Sequence, residues 1–233
     1  MKKSPFNSEL WTGRVDAEDK ELGLRLHQII QDYTHFRESN TQPKVIIGFC
    51  SDEGVERNKG RLGAKESPDH IRKSLANLPF HFSNDQFLFD AGNIICDHDN
   101  LEEAREEQIN IVDKIIKNNH FPIVIGGGHE TALGNFLALI KTYKNVGIIN
   151  IDAHFDLRTP NPKSTSGTPF YEMSKYCEAN NLNFNYIPIG IQELGNTKAL
   201  FKRAEDLNVE YITADEVHLN LNNILDKLKR EIQ

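Results

Sequence analysis

Short apolar runs along the chain alternate with longer stretches in which apolar positions recur every three or four residues. The runs are "KVIIGFC" (Lys44 to Cys50), "QFLFDAGNII" (Gln86 to Ile95), "FPIVIGGG" (Phe121 to Gly128), "VGIINI" (Val146 to Ile151) and "FNYIPIGI" (Phe184 to Ile191). A shorter run, "VEYIT" (Val209 to Thr213), follows them. They are rich in Val and Ile and lack polar alternation, as strands buried on both faces of a parallel sheet do. Helical spacing marks "LEEAREEQINIVDKIIKNN", "TALGNFLALIKTYK", "TKALFKRAEDLN" and a last stretch ending at Gln233. Such alternation predicts an α/β fold: a three-layer αβα arrangement around a mainly parallel sheet. Ser67-Pro68 reads as an N-cap before a proline at the first helical position, opening a helix over Asp69 to Leu78. An amphipathic helix is expected over Lys20 to Phe36, and a glycine- and arginine-rich loop over Glu53 to Lys65.

Composition narrows the partners more than the fold. With 233 residues there is ample chain for a core. A net charge of -7, with no basic stripe, argues against a nucleic-acid partner. No run approaches the roughly 18 apolar residues of a membrane span, and the N-terminus has no apolar segment of a signal peptide. Three widely spaced cysteines, Cys50, Cys96 and Cys177, fit small buried hydrophobes in a reducing compartment rather than a disulfide framework. A cytoplasmic protein acting on a small molecule is the expectation; whether it forms a homo-oligomer stays open.

In an open parallel sheet, ligands gather beyond the carboxyl ends of the strands. Behind the third run stands "GGGHE", with His129; behind the fourth stands "NIDAHFDLR", with Asp152, His154 and Asp156. The alternation at 152, 154 and 156 puts three side chains on one side of a locally extended segment. Two imidazoles with carboxylates suit Mn²⁺, Fe²⁺, Co²⁺ or Zn²⁺, and the lack of cysteine argues against structural zinc. The alternative is a set of ordinary loop polars, with Asp152 capping a turn. His129 at a second strand end favours the metal. "CDHDN" (Cys96 to Asn100) offers similar residues, but Asp99-x-x-Glu102 and Asn100-x-x-Glu103 are capping-box spacings ahead of a helix, which explains them without a metal. The remaining histidines have no partner pattern.

These motifs resemble those of the ureohydrolase (arginase-like) family, G-G-[DG]-H-[SE] and D-A-H-x-D, most closely its formimidoylglutamase branch. "WTGRVDAED" (Trp11 to Asp19), "SDEGVERNKGRLGAKESPDHIR" (Ser51 to Arg72), "SGTPF" (Ser166 to Phe170) and "NTKALFKRAEDLNV" (Asn196 to Val209) extend the resemblance over nearly the whole chain. It implies a single arginase-like domain over residues 1–233 and two Mn²⁺ ions bridged by hydroxide. His129 and Asp156 would ligate one ion, His154 the other, and Asp152 would bridge them. The reaction implied is hydrolysis of N-formimidoyl-L-glutamate to formamide and L-glutamate. An amidine carbon is a poor electrophile, so water needs the activation that paired cations supply. The substrate's carboxylates favour arginine. Arg158, two residues past Asp156, is the first candidate, with Arg57 and Arg61 behind it; each is also compatible with a solvated loop arginine. Ser166 lies where the agmatinase branch carries a histidine, so no histidine is assigned that role.

One departure matters. The family carries a third motif resembling S-x-D-x-D-x-x-D-P, which completes both metal sites. It has no counterpart here: Asp206, Asp215 and Asp226 are isolated. The resemblance places two further strands between the third and fourth, so two exposed sheet edges are expected. The expectation is a chain truncated relative to the family, with one ion or none and little activity. Two alternatives accompany the amidine-hydrolase reading: a non-catalytic metal-binding relative, and another ureohydrolase acting on agmatine, guanidino acids or arginine.

Overall fold

In a computed structural model, residues 2–36, 41–82 and 88–232 are described. The apolar runs form β3 (Lys44–Cys50), β4 (Leu88–Ile95), β5 (Phe121–Ile125), β6 (Gly147–Ile151) and β7 (Asn185–Ile191). Gln86 and Phe87, the start of the second expected run, lie outside the described residues. Of "VEYIT", only Ile212–Thr213 is strand, β8. Two N-terminal strands, β1 (Lys2–Ser4) and β2 (Gln31–Asp32), were not expected from the pattern.

Among the described residues the strands form two hydrogen-bonded groups, with open edges at the third and fourth runs as expected. The first has the order β1-β4-β3-β5 with β2 also on β4, and only β1 runs antiparallel. The second, β6-β7-β8, is wholly parallel. The break falls between β5 and β6, which leaves Phe121, Ile149 and Ile151 exposed.

Helices cover both faces of the first sheet. Val45, Ile47 and Phe49 of β3 face α4 (Leu101–Lys117), where Leu101, Ile109, Val112 and Ile115 complete one core. The alternate residue, Ile46, packs with Trp11 and with Ala76 of α3 (Ser67–Ala76) on the other face. The next helix, α5 (Thr131–Thr142), joins the halves: Ala138 belongs to the first core, Leu133 and Phe136 to the second. That second core adds Phe170, Met173 and Cys177 of α6 (Pro169–Ala179), and Leu200 and Ala204 of α7 (Lys198–Asp206). The last helix, α8 (Ala214–Ile232), closes β7 and β8 through Ile224.

Three local expectations fail for identifiable reasons. Lys20 to Phe36 is not one helix but a four-residue turn of helix, Leu26–Ile29, between 3₁₀ segments. Lys20 sits at φ 50°, and the backbone there pairs across the chain instead: Leu26 N–H donates to Leu78 O and Phe80 N–H to Leu24 O. Ser67 is already helical, because a 3₁₀ turn over Ala64–Glu66 runs straight into α3; its hydroxyl donates to Ala64 O, 2.7 Å away, rather than capping. Residues Glu53–Arg57, expected as loop, form the short helix α2. Cys50 and Cys96 are half-buried free thiols, whereas Cys177 is fully buried. No helix among the described residues is long and apolar enough to cross a membrane.

Candidate metal centre

β5 ends at Ile125, and Gly126 and Gly127 turn the backbone at φ 85° and 69°, values that favour glycine. A side chain at Gly127 would collide with Phe49 and Thr131. The tight turn delivers His129 just ahead of α5. β6 ends at Ile151, and the chain then bends through Asp152 to Asp156. Phe155 and Leu157 are fully buried in the second core, while Asp152, His154 and Asp156 face away from it. The alternation is therefore kept, although Asp156 adopts φ 44° and the segment is not extended throughout.

His129, Asp152 and Asp156 converge, with one donor atom from each lying within 4.8 Å of the others. His129 Nδ1 stands 2.7 Å from Asp156 Oδ2 and 3.2 Å from Asp152 Oδ2. His154 stands to one side: its Nδ1 lies 3.4 Å from Asp152 Oδ1, and its ring is more than half exposed. The same Oδ1 accepts the His154 backbone N–H at 2.9 Å, so Asp152 also caps its own turn. Burial disfavours an imidazolium at His129. The Asp156 hydrogen bond, together with the charges of Asp156, Asp152 and Glu130, outweighs burial and raises its pKa above the ordinary value. Phe170 of "SGTPF" meets the His129 ring edge-on at 5.2 Å and stacks on Tyr186 at 4.3 Å, which fixes the imidazole plane. Asp206, Asp215 and Asp226 lie on α7 and α8 and do not join this cluster; Asp206 and Asp226 pair with lysines of their own helices.

The arginines divide. Arg57 is expected as a substrate contact, yet its guanidinium is engaged on every side. It donates to Glu53 Oε1 at 2.8 Å, Asp99 Oδ1 at 2.7 Å, Glu102 Oε1 at 2.7 Å and Ser164 O at 3.1 Å. Burial works against its charge, but the hydrogen bonds it donates to Glu102, Asp99 and Glu53 prevail and hold its pKa above the ordinary arginine value. It ties α2 to the start of α4 and is not free for a ligand. The capping-box reading of Asp99 and Asn100 changes with it. Asp99 serves Arg57 and Lys163, and Asn100 precedes α4 without a side-chain cap, bonding Glu103 instead. Arg158 and Arg61 are exposed. The Arg158 side chain passes over Gly167 beside Asn58, and its backbone N–H donates to Gly167 O at 2.9 Å. Ser166 is half-buried, with its N–H on Gly54 O at 2.9 Å.

The arginase family model matches residues 42–233. The chain belongs to the arginase family. Among this family member's relatives, the formimidoylglutamase of Clostridium tetani is 41% identical over 226 residues, 91% of this chain and 67% of that protein. That of Vibrio parahaemolyticus is 41% identical over 238 residues, 95% of this chain and 69% of that protein. The chain thus spans about two thirds of the length of these curated relatives. Among solved structures, Trypanosoma cruzi formiminoglutamase crystallised with Mn²⁺ superposes with a TM-score of 0.73 at 29% identity, over 83% of this chain and 67% of that one.

Sequence reasoning missed two residues at the site. Glu130, the last residue of "GGGHE", is buried with both carboxylate oxygens lacking a hydrogen-bond partner. Burial raises its pKa, and nearby backbone amides of Glu130, Gly128 and Gly54 offset only part of that. Tyr186 donates its hydroxyl proton to Phe155 O at 3.0 Å and accepts from Asn150 Nδ2 at 3.0 Å. Nothing in a lone tyrosine within an apolar run signals that role.

Proposed function

We propose that this chain acts as an amidine hydrolase of the formimidoylglutamase type. Water cleaves the C–N bond of N-formimidoyl-L-glutamate, the amidine carbon and its terminal nitrogen leave as formamide, and the freed amine is L-glutamate. The observation that carries the reading is the convergence of His129, Asp152 and Asp156 beyond two strand ends, in a chain 41% identical to two formimidoylglutamases.

The donor set fits a hard to borderline divalent cation. One imidazole nitrogen faces two carboxylates, so negative charge exceeds what His129 can neutralise. Manganese bound by these residues would supply positive charge that lowers the pKa of water and stabilises negative charge developing at the amidine carbon. His129 and Asp156 would hold one ion. Asp152 turns Oδ2 toward His129 and Oδ1 toward His154, which suits a carboxylate shared between two positions. His154 would serve the second. Arg158 is the residue for a substrate carboxylate, with Arg61 and Ser166 behind it; Arg57 is left out because its donors are already engaged.

The test is product identity with Mn²⁺ supplied. Formamide released from N-formimidoyl-L-glutamate, with no urea from arginine or agmatine, supports the reading. Urea from either guanidino compound overturns it, and a lack of product from all three favours the non-catalytic metal-binding alternative.

A further inference from the structure

The residues that bear the metal-type side chains are held in place from behind by a side chain from far along the chain. Asn196 lies about 40 residues further along, just after a 3₁₀ turn over Glu193–Gly195, and is buried. Its Oδ1 accepts the Phe155 backbone N–H at 3.1 Å. Its Nδ2 donates to Ala153 O and to Gln192 O, both at 2.8 Å. The amide orientation follows from these partners: two carbonyls can face only the NH₂, and an N–H can face only the oxygen. Gln192 N–H adds a bond to Ala153 O at 3.0 Å, and Asp152 N–H reaches Ile189 O at 3.0 Å. Phe155 and Ala153 flank His154 on both sides, so Asn196 fixes the peptide units that aim His154 and begin the approach to Asp156. Gly195 lies beside the ring: a side-chain carbon there would be in ordinary contact, 3.4 Å from His154 Nε2. A merely structural asparagine would satisfy any buried polar backbone; this one bonds only the two residues around one expected ligand and the turn it caps.

We infer that Asn196 is a positioning residue for the Asp152–Asp156 loop, setting His154 and Asp152 in the geometry that binds the ion. This rests on the metal reading proposed above. Asn196→Asp keeps the acceptor for Phe155 and replaces the two donated bonds with oxygen–oxygen repulsion; Asn196→Ala removes all three. The comparison variant is Ile224→Ala, which opens the distant α8 core. Mn²⁺ titration of the metal-free chain, thermal melting and backbone amide exchange are measured on all of them. The Asn196 variants are expected to bind Mn²⁺ at least roughly tenfold more weakly, as losses of supporting partners do, with faster exchange over residues 152–158 and unchanged protection in β6 and β7. Ile224→Ala is expected to melt earlier with its Mn²⁺ affinity intact. Equal Mn²⁺ affinity and equal exchange in the Asn196 variants would overturn the inference. So would an affinity loss in Ile224→Ala as large as theirs. Should the unmodified chain take up no Mn²⁺, the metal reading fails by itself. The exchange data then decide the positioning role: faster exchange confined to residues 152–158 upholds it, and uniform or unchanged exchange rejects it.

Discussion

Two of the charged clusters among the described residues are built to opposite ends. In the first, Arg72 and Asp90 have side chains only 1% exposed, and Asp90 accepts from Trp11 Nε1, Arg72 Nε, Arg72 Nη2 and Gly92 N–H. The remaining Arg72 donors reach Gly92 O and Asn93 Oδ1. Charge is balanced and the hydrogen-bonding capacity is used, which is what makes a buried ion pair tolerable. The second cluster, His129 with Asp152 and Asp156, is a quarter exposed on average and sets one imidazole against two carboxylates. A fold that spends four bonds on one internal aspartate has the means to neutralise two more. The partly exposed imbalance beyond β5 and β6 is of the kind that a bound cation would offset.

Crossed substitutions break the comparison most sharply. Asp90→Ala leaves a buried guanidinium unpaired and should cost about 3–5 kcal/mol of stability in urea denaturation. In whatever fraction stays folded, Mn²⁺ affinity should be unchanged. Asp152→Asn should do the reverse: little change in the stability of the metal-free chain, with Mn²⁺ affinity down about a hundredfold or more, at or beyond the upper end of what supporting partners alone are worth. A large stability loss in Asp152→Asn would mean that the second cluster is a structural pair like the first.

Next in size is a pH effect confined to the second cluster. The His129 pKa is raised, so below it the imidazolium is held by Asp156 and an incoming cation must displace a proton. Mn²⁺ affinity should rise about tenfold per pH unit below that pKa and level off above it. The stability linkage has the opposite sign. The raised pKa contributes stability to the metal-free chain that is fully present below the ordinary histidine value near 6.5, and that is lost as pH rises through the folded value. Calorimetric titrations across this range, beside melting curves of the metal-free chain, should show the two trends crossing. A pH-independent affinity would remove His129 from the ligand set.

The same contrast marks what was legible in the sequence. β3, β5, β6 and β7 could be read because buried parallel strands write themselves as unbroken Val and Ile runs. His129, Asp152, His154 and Asp156 could be read because polar residues directly behind such runs stand out. Roles defined by partners far along the chain could not. Arg57 looks free until Asp99 and Glu102, 42 and 45 residues on, are folded against it. Asn196 is one polar residue in a loop until Ala153 and Phe155 come back to meet it. Lys20 to Phe36 has helical amphipathicity, yet strand-like pairing with residues 78–80 wins, since local propensity is worth only tenths of a kcal/mol per residue.

The smallest expected effect separates the two arginines that the sequence groups together. Arg57 belongs with the first cluster in kind: its donors are filled, and Arg57→Ala should cost about 1 kcal/mol, since Asp99 and Glu102 remain largely solvated. Its effect on KM for N-formimidoyl-L-glutamate should be slight, acting only through the placement of α2. The proposed function puts Arg158 with the second: it is exposed, two residues past Asp156, and braced through its backbone on Gly167 O and beside Asn58. Arg158→Asn should leave stability unchanged and raise KM by roughly tenfold, the worth of one charge-assisted contact to a carboxylate. Steady-state kinetics on both variants decides between them. A KM that moves with Arg57 and not with Arg158 would reverse the assignment, placing the substrate carboxylate over α2 instead of beside the Asp152–Asp156 loop.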